Sequence, residues 1–281
     1  MSDPLLLSGK DFAASVRKEL AGRIEADPGP PPGLAVVVVG DDPASRVYVS
    51  MKEKACRRAG INSRVVNLDA SASQGELLAE IDRLNEDGSI HGILCQLPLP
   101  DHISTHTVAS AIYPHKDVDG FHPVNVGKLW RGEDGLFPCT PLGITAMLAH
   151  YGIEIDGSRA VIVGRSNIVG KPMAAMLLRR HATVALAHSH TGDLPGLCRT
   201  ADILVAAVGR PRFITPEFVK PGAAVIDVGI SRTEEGLAGD VDFDSVAGIS
   251  GAITPVPGGV GPLTIAFLLS NTVKAWTNSA T

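Results

Sequence analysis

Tyr48 and Lys52 stand four residues apart in a helical stretch, a spacing that places both on one face. A lysine held beside a phenol near an apolar wall loses part of its preference for the charged form and can exchange protons near neutrality. The same pair also reads as a solvated helix face with a snorkelling lysine, and spacing alone does not separate the two. Val47, Met51 and Ala55 are read as the neighbouring core stripe. Gln96 ends an apolar run in Leu94-Cys95-Gln96-Leu97-Pro98-Leu99-Pro100, where the prolines stop the strand. A polar side chain there faces a site at the strand's carboxyl end or satisfies loop backbone groups.

Lys116-Asp117-Val118-Asp119-Gly120-Phe121 is an acidic turn. A carboxylate fixed on a loop can accept two N–H bonds from an amidine-like ring edge, such as a 2-amino-pyrimidinone. The composition equally favours an Asx-type turn. Nothing nearby completes a ligand set with these aspartates, so no metal is expected. Thr254 to Thr264 packs three prolines and three glycines into eleven residues, a rigid bend of bare backbone. Pro257, Gly258, Gly259 and Val260 form its turn. Such a bend suits the close approach of a flat ligand or of another chain segment, and also an interdomain connector.

Ala160-Val161-Ile162-Val163 reads as a short buried strand, Gly164-Arg165-Ser166-Asn167-Ile168-Val169-Gly170 as a glycine-bounded loop, and Met173 to Arg180 as a helix with Pro172 in its first turn. A strand, a tight glycine loop and a helix N-terminus bring N–H groups and the positive dipole end together, the logic of a dinucleotide site. The spacing is not the common G-x-G-x-x-G, and an ordinary strand-to-helix turn reads the same way. The next strand ends in Ala187-His188-Ser189-His190-Thr191, without the Asp or Glu that pairs with a ribose 2′-hydroxyl. Arg165, Ser189, His190 and Thr191 favour a 2′-phosphate, hence NADP over NAD, or the stretch is a neutral loop with no cofactor role. Val208-Gly209-Arg210-Pro211 and Asp227-Val228-Gly229-Ile230 sit at later strand ends. They line the ribose and nicotinamide, or are plain turns.

The elements that must carry these residues alternate. Asp11 to Ile24 reads as a helix with apolar residues at every fourth position, ended by the Pro/Gly cluster from Pro28 to Gly33. Leu34 to Val39 is a Val-rich run typical of a strand covered on both faces. Asp42-Pro43 opens a helix that Gly60 closes. Strands at 64–68 and 92–96 flank a helix at 73–85, residues 101–137 are loop-rich, and Thr140 starts a helix. The alternation restarts at 160–163, 183–187, 203–208 and 224–228, and Gly261 to Trp276 is a final helix that packs back on the first domain. The expected fold class is α/β: two α/β domains of parallel βαβ units flanking a cleft, the second a Rossmann-like dinucleotide-binding domain.

A length of 281 residues, 44% hydrophobic and 20% charged, fits one or two globular domains. The net charge of −5 argues against a nucleic-acid partner. Cys56, Cys95, Cys139 and Cys198 are scattered without a C-x-x-C pair, as expected of buried thiols in a reducing compartment. No leader at the N-terminus and no membrane span are read, so the expected location is the cytoplasm.

These pieces together resemble the bacterial-type bifunctional methylenetetrahydrofolate dehydrogenase/methenyltetrahydrofolate cyclohydrolases. The resemblance rests on Val39-Gly40-Asp41-Asp42-Pro43-Ala44-Ser45 with Tyr48 and Lys52, then Gln96-Leu97-Pro98-Leu99-Pro100 and Lys116-Asp117-Val118-Asp119-Gly120. Pro138-Cys139-Thr140-Pro141, the Gly164-to-Pro172 loop and Pro255 to Pro262 follow in order across nearly the whole chain. It implies a folate-binding catalytic domain over 1–137 plus 264–281 and an NADP-binding domain over 138–263. It implies hydride transfer from 5,10-methylene-tetrahydrofolate to NADP, then hydrolysis of the 5,10-methenyl product to 10-formyl-tetrahydrofolate in the same active site. The lysine matching Lys52 is then the central cyclohydrolase group, assisted at Tyr48 and Gln96, with Asp119 anchoring the pterin. Leu97 and the turn Pro257 to Val260 border the folate. Gly164, Arg165, Ser166, Ile168, Ser189, Thr191, Gly209 and Ile230 match the cofactor contacts, and a homodimer is implied. Three competing readings are a cyclohydrolase with a decayed dehydrogenase half, a two-domain NADP dehydrogenase of the shikimate type, and a non-catalytic nucleotide-sensing module. The intact glycine loop opposes the first, the Tyr48/Lys52 pair with the Pro-Gly bend the second, and Lys52, Gln96 and Asp119 together the third.

Overall fold

The structure is a computed structural model that describes residues 3–234 and 236–279, with Pro43 and Ala44 described by backbone alone. The absence of a leader was read partly from Met1 and Ser2, which lie outside the described residues. In chain order the elements begin β1 (Leu5–Leu6), α1 (Gly9–Ala26), β2 (Gly33–Val39), α2 (Pro43–Ala59), β3 (Asn62–Leu68), α3 (Gln74–Glu86), β4 (Gly92–Cys95), α4 (Thr105–Ala111), α5 (Pro123–Arg131) and α6 (Cys139–His150). They continue β5 (Arg159–Val163), α7 (Gly170–Leu178), β6 (Thr183–Ala187), α8 (Leu194–Cys198), β7 (Ile203–Ala206), β8 (Ala224–Asp227), β9 (Ser231–Thr233), β10 (Gly236–Ala238), α9 (Phe243–Ala247), β11 (Ala252–Ile253) and α10 (Gly261–Ser279). The 101–137 stretch read as loop contains α4 and α5, whose short lengths and polar caps hide any long period.

Residues 14–139 with 265–279 form one compact unit. Its sheet is three parallel strands in the order β3-β2-β4. All seven residues of β2 are buried, and they alternate between two cores as the two-residue period requires. Leu34, Val36 and Val38 meet α1, α2 and α10 through Leu20, Ile24, Val49, Cys56, Leu268, Leu269 and Val273. Ala35, Val37 and Val39 meet α3 and α4 through Leu77, Ile81, Leu84 and Val108. The final helix thus packs on the first sheet, as the sequence reading has it.

Residues 3–13 with 140–264 form the other unit, a six-stranded parallel sheet in the order β1-β11-β8-β7-β5-β6. Its core joins Val161, Val163, Leu204, Ala206 and Val225 to Cys198, Phe218 and Val246. The N-terminal residues belong here, a departure from the 1–137 boundary. Leu5 and Leu6 pair in parallel with Ala252 and Ile253. A two-residue edge strand whose partner lies at the other end of the chain leaves no local pattern to read.

The four cysteines are free and buried. Among the described residues no helix is long and apolar enough to cross a membrane. Two glycines give opposite stability expectations. Nothing lies within 4 Å of a Cβ built on Gly22 in α1, whereas one on Gly33 would sit 1.9 Å from the Ser89 carbonyl oxygen. Gly22→Ala should raise the unfolding free energy by about 0.5–1 kcal/mol, and Gly33→Ala should lower it by about 1–3 kcal/mol or more. Urea titrations of the two variants check the signs.

Candidate active site

Helix α2 carries its lysine on the buried side. The Asp42 carboxylate caps its start, accepting from the Ser45 N–H at 2.7 Å, and Gly60 closes it with φ 81°. Val49, Lys52, Cys56 and Ala59 recur at the three–four spacing of one helix face, and all are buried. Val47 and Met51 are 53% and 48% exposed, which corrects their reading as core. They lie off the stripe that packs on β2, where Val49, Cys56 and Ala59 make the contact with Ala55 partly buried beside them. Tyr48, one turn before Lys52, is exposed. Lys52 does not snorkel; it retains 8% exposure.

The Lys52 Nζ donates to Gln96 Oε1 at 2.8 Å. The Gln96 Nε2 donates to the Leu97 carbonyl at 2.6 Å, which turns the amide oxygen toward the lysine. The Gln96 N–H donates to the Val37 carbonyl at 2.8 Å, so the ladder continues one residue past β4 and fixes the amide's root. Gln96 therefore satisfies a loop backbone group while its amide oxygen meets Lys52. Burial pushes the Lys52 amine below the usual lysine range, while Asp119 and the thiols of Cys139 and Cys56 pull it back up.

The acidic turn divides its labour. Asp117 is buried and accepts from the N–H of Gly120 at 3.1 Å, the N–H of His122 at 2.8 Å and the Asn125 amide at 2.9 Å. It is the Asx-type turn anticipated from composition. Gly120 is held at φ +73°, and a Cβ there would come within 2.4 Å of the Phe137 carbonyl carbon. Between them the Val118 carbonyl accepts from the Asn271 amide at 2.8 Å and the Cys139 thiol at 3.2 Å. Asp119 is thereby left with its carboxylate beside Cys139, 4.0 Å from the sulfur. Burial pushes the Asp119 carboxyl up to about 6, with Lys52 opposing and Asp117 adding to the rise. A small pocket of about 20 Å³ opens beside this loop, with Leu97, Leu99, Asp119 and Phe121 in its wall.

Lys52, Gln96 and Asp119 thus converge in one unit. Asn125 and Asn271, which with Asp117 hold the turn, were not singled out from the sequence. A buried asparagine on an apolar helix such as α10 was the readable signal.

In the six-stranded unit, Gly164 follows β5 at φ +124°, and a Cβ there would sit 2.1 Å from the Ala207 carbonyl oxygen. A Cβ on Gly170 would sit 2.0 Å from the Gly164 carbonyl oxygen, so the loop closes on itself with no room for side chains. The Ser166 hydroxyl accepts from the N–H groups of Val169 and Gly170, at 3.1 and 3.3 Å, and the Ser166 carbonyl accepts from Lys171. Several first-turn donors of α7 are therefore satisfied within the loop, which amends the expectation of open N–H groups there. Arg165 and Ile168 are exposed. At the end of β6, Thr191 Oγ1 accepts from the His188 N–H at 2.9 Å, and Ser189 is exposed. Gly209, at φ +67°, and the exposed Ile230 follow β7 and β8. The bend at Pro257 to Val260 receives a chain segment of its own unit. The Gly258 carbonyl accepts from the Lys10 N–H at 2.9 Å, and a Cβ on Gly9 would fall 1.7 Å from the Gly259 oxygen. Among the described residues no group of three or more His, Cys, Asp or Glu is placed to hold a metal ion.

A buried lysine unit and a parallel sheet with a glycine-closed strand-to-helix loop define a two-domain α/β enzyme with a dinucleotide-type fold. The family model described as the tetrahydrofolate dehydrogenase/cyclohydrolase catalytic domain matches residues 7–119, and that for the NAD(P)-binding domain matches 138–280. The chain belongs to the tetrahydrofolate dehydrogenase/cyclohydrolase family. The bifunctional protein FolD of Halothermothrix orenii is 57% identical over 274 residues, covering 96% of this chain and 97% of its own. The crystal structure of the bifunctional FolD dehydrogenase/cyclohydrolase of Campylobacter jejuni superposes with a TM-score of 0.96 at 50% identity, covering 97% of this chain and 98% of that one. The Trypanosoma brucei enzyme, solved with NADP cofactor and an inhibitor, gives 0.94 at 39% identity, covering 100% and 99%.

The raised Asp119 carboxyl has a pH consequence. Its ordinary value is 3.8, so between that and about 6 the folded protein binds more protons than the unfolded chain. Native stability therefore falls as pH rises through this window, and the whole penalty is present above it. Asp119→Asn removes the titrating group. The variant's stability relative to the parent should climb between about pH 4 and about pH 7 in denaturant titrations; a difference independent of pH contradicts this.

Proposed function

We propose that the chain oxidises 5,10-methylene-tetrahydrofolate with NADP and hydrolyses the 5,10-methenyl product to 10-formyl-tetrahydrofolate, both steps acting on the same folate carbon in one active site. The observation that carries the reading is the buried Lys52 amine, hydrogen-bonded to Gln96 and set near Asp119. The three-stranded unit is the folate-binding catalytic part, and the six-stranded unit holds the dinucleotide. The residues present fit that cofactor. Gly164 and Gly170 let the strand-to-helix turn pack tightly on its own backbone, the close approach a dinucleotide turn requires. No carboxylate stands in Ala187-His188-Ser189-His190-Thr191 to repel a 2′-phosphate, and Arg165 and Ser189 are free to face solvent-side oxygens. When bound, NADP supplies the hydride acceptor.

The chain's own work differs between the two steps. A nitrogen lone pair of the substrate drives hydride loss, so oxidation needs positioning and no acid or base from the protein. Asp119 anchors the pterin edge, and Leu97 borders the folate. Hydrolysis needs proton handling. Water adds to the amidinium carbon as Lys52, the free amine, takes one of its protons. The bond to one ring nitrogen then breaks as Lys52 returns that proton to the nitrogen, and the remaining hydroxyl gives its proton to solvent as the formyl C=O forms. Burial already biases Lys52 toward the free amine, and a cationic substrate adds to that bias. Gln96 orients the amine through its fixed amide oxygen, and Tyr48 offers a ring for stacking. Ser166, Ile168, Thr191, Gly209 and Ile230 complete the cofactor contacts. On the family resemblance, we extend the reading to a homodimer working in the cytoplasm; sedimentation of the purified chain tests the dimer.

A spectrophotometric assay with methylene-tetrahydrofolate and NADP tests the function: absorbance from NADPH and the methenyl product should rise, and the methenyl part should then decay. Lys52→Met should cut cyclohydrolase turnover about a hundredfold or more and keep measurable dehydrogenase activity. Full cyclohydrolase turnover in that variant overturns the assignment. Arg165→Ala should raise the KM for NADP more than that for NAD, by roughly one to two kcal/mol; an equal effect on both contradicts a 2′-phosphate clamp.

A further inference from the structure

Two buried carboxylates knit the strand ends of the six-stranded unit together. Asp227 closes β8, and Asp240 follows β10; they are 3% and 0% exposed. Asp227 Oδ1 accepts from the N–H of Gly229 at 2.9 Å and of Asp240 at 2.8 Å, and its Oδ2 from Val241 at 2.9 Å. Asp240 Oδ2 accepts from the N–H of Val208 at 2.6 Å and of Gly209 at 3.0 Å, and its Oδ1 from Arg210 at 2.8 Å. The Asp227 N–H donates in turn to Thr254 Oγ1 at 2.7 Å. One carboxylate therefore grips the turn after β7, and the other the turn after β8.

The space between them is reserved by glycine. A Cβ on Gly229 would lie 2.3 Å from Asp240 Oδ1, and one on Gly239 would lie 1.8 Å from Asp227 Oδ2. The acceptor pattern also fixes the chemistry. Three converging N–H groups need a group that only accepts, with two oxygens, and an amide would aim an NH₂ at one or two of them. Burial pushes the Asp227 carboxyl up to about 6, against the pull of its backbone N–H bonds.

We propose that Asp240 is a positioning residue for the dinucleotide. It fixes the Val208–Gly209–Arg210 backbone and, through its N–H bond to Asp227, ties that turn to the Gly229–Ile230 turn, so that the two segments move as one body. The proposal rests on the reading of Gly209 and Ile230 as cofactor contacts. It differs from that reading in naming the side chain that makes the two turns a single unit.

The test uses the full chain. Asp240→Asn should raise the KM for NADP about tenfold or more with the kcat at saturating NADP little changed. Hydrolysis of methenyl-tetrahydrofolate, supplied directly without dinucleotide, should stay at the parental rate. A merely structural role predicts the opposite split: both activities fall with the folded fraction, and the KM stays put. Gly229→Ala, which leaves Asp240 in place and pushes its carboxylate aside, should give the same KM signature. Unchanged KM in either folded variant overturns the proposal. If neither variant folds, hydrogen exchange on the parent decides. The amides at 208–210 and 229–230 should gain protection together as NADP is added, and independent responses overturn the coupling. A parent without NADP-dependent turnover removes the functional reading first, and the proposal with it.

Discussion

An ammonium group taken out of water is unfavourable unless partners replace its hydration. The three-stranded unit is organised around that constraint at Lys52. The stripe Val49, Lys52, Cys56 and Ala59 buries the amine as a consequence of packing α2 on β2. Gln96 then supplies an oxygen from the end of β4, and Asp119 supplies negative charge from the acidic turn. Desolvation outweighs these partners, so the amine sits poised toward its neutral form. A solvated lysine at the same sequence position would have neither the poise nor the fixed direction.

The partner groups are held by parts that do no chemistry themselves. Gln96 is aimed by its bond to the Leu97 carbonyl, and Asp119 by a turn whose bonds belong to Asp117, Asn125 and Asn271. Lys116, next to this turn, is occupied elsewhere; its ammonium caps the α3 end at the carbonyls of Leu84, Asn85 and Asp87. The six-stranded unit solves its own positioning problem with the same means, buried carboxylates met by backbone N–H groups. In both units an acidic side chain that looks available in the sequence turns out to be a brace.

Much of this was legible in the sequence because period and punctuation agree. The all-apolar β2 run, the Asp42 cap, the Gly60 stop and the second βαβ series each state their own structure locally. What was hidden is non-local. The pairing of Leu5 and Leu6 with Ala252 and Ile253 joins the two ends of the chain, and two residues carry no periodicity. Val47 and Met51 looked like core because they flank Lys52 at helical spacing, yet the contact face is one step round the helix. The brace at Asp240 was unreadable because its partners are backbone groups, and any residue supplies those.

The central claim is that burial holds the pKa of the Lys52 amine below its ordinary value. Its most direct measurement is a carbon-13 NMR titration of the lysine Cε signals in the full chain, with the Lys52 resonance assigned by its absence in Lys52→Arg. The account predicts that this signal titrates below the ordinary 10.5, and apart from the exposed lysines. A Lys52 signal that titrates with the exposed lysines contradicts it.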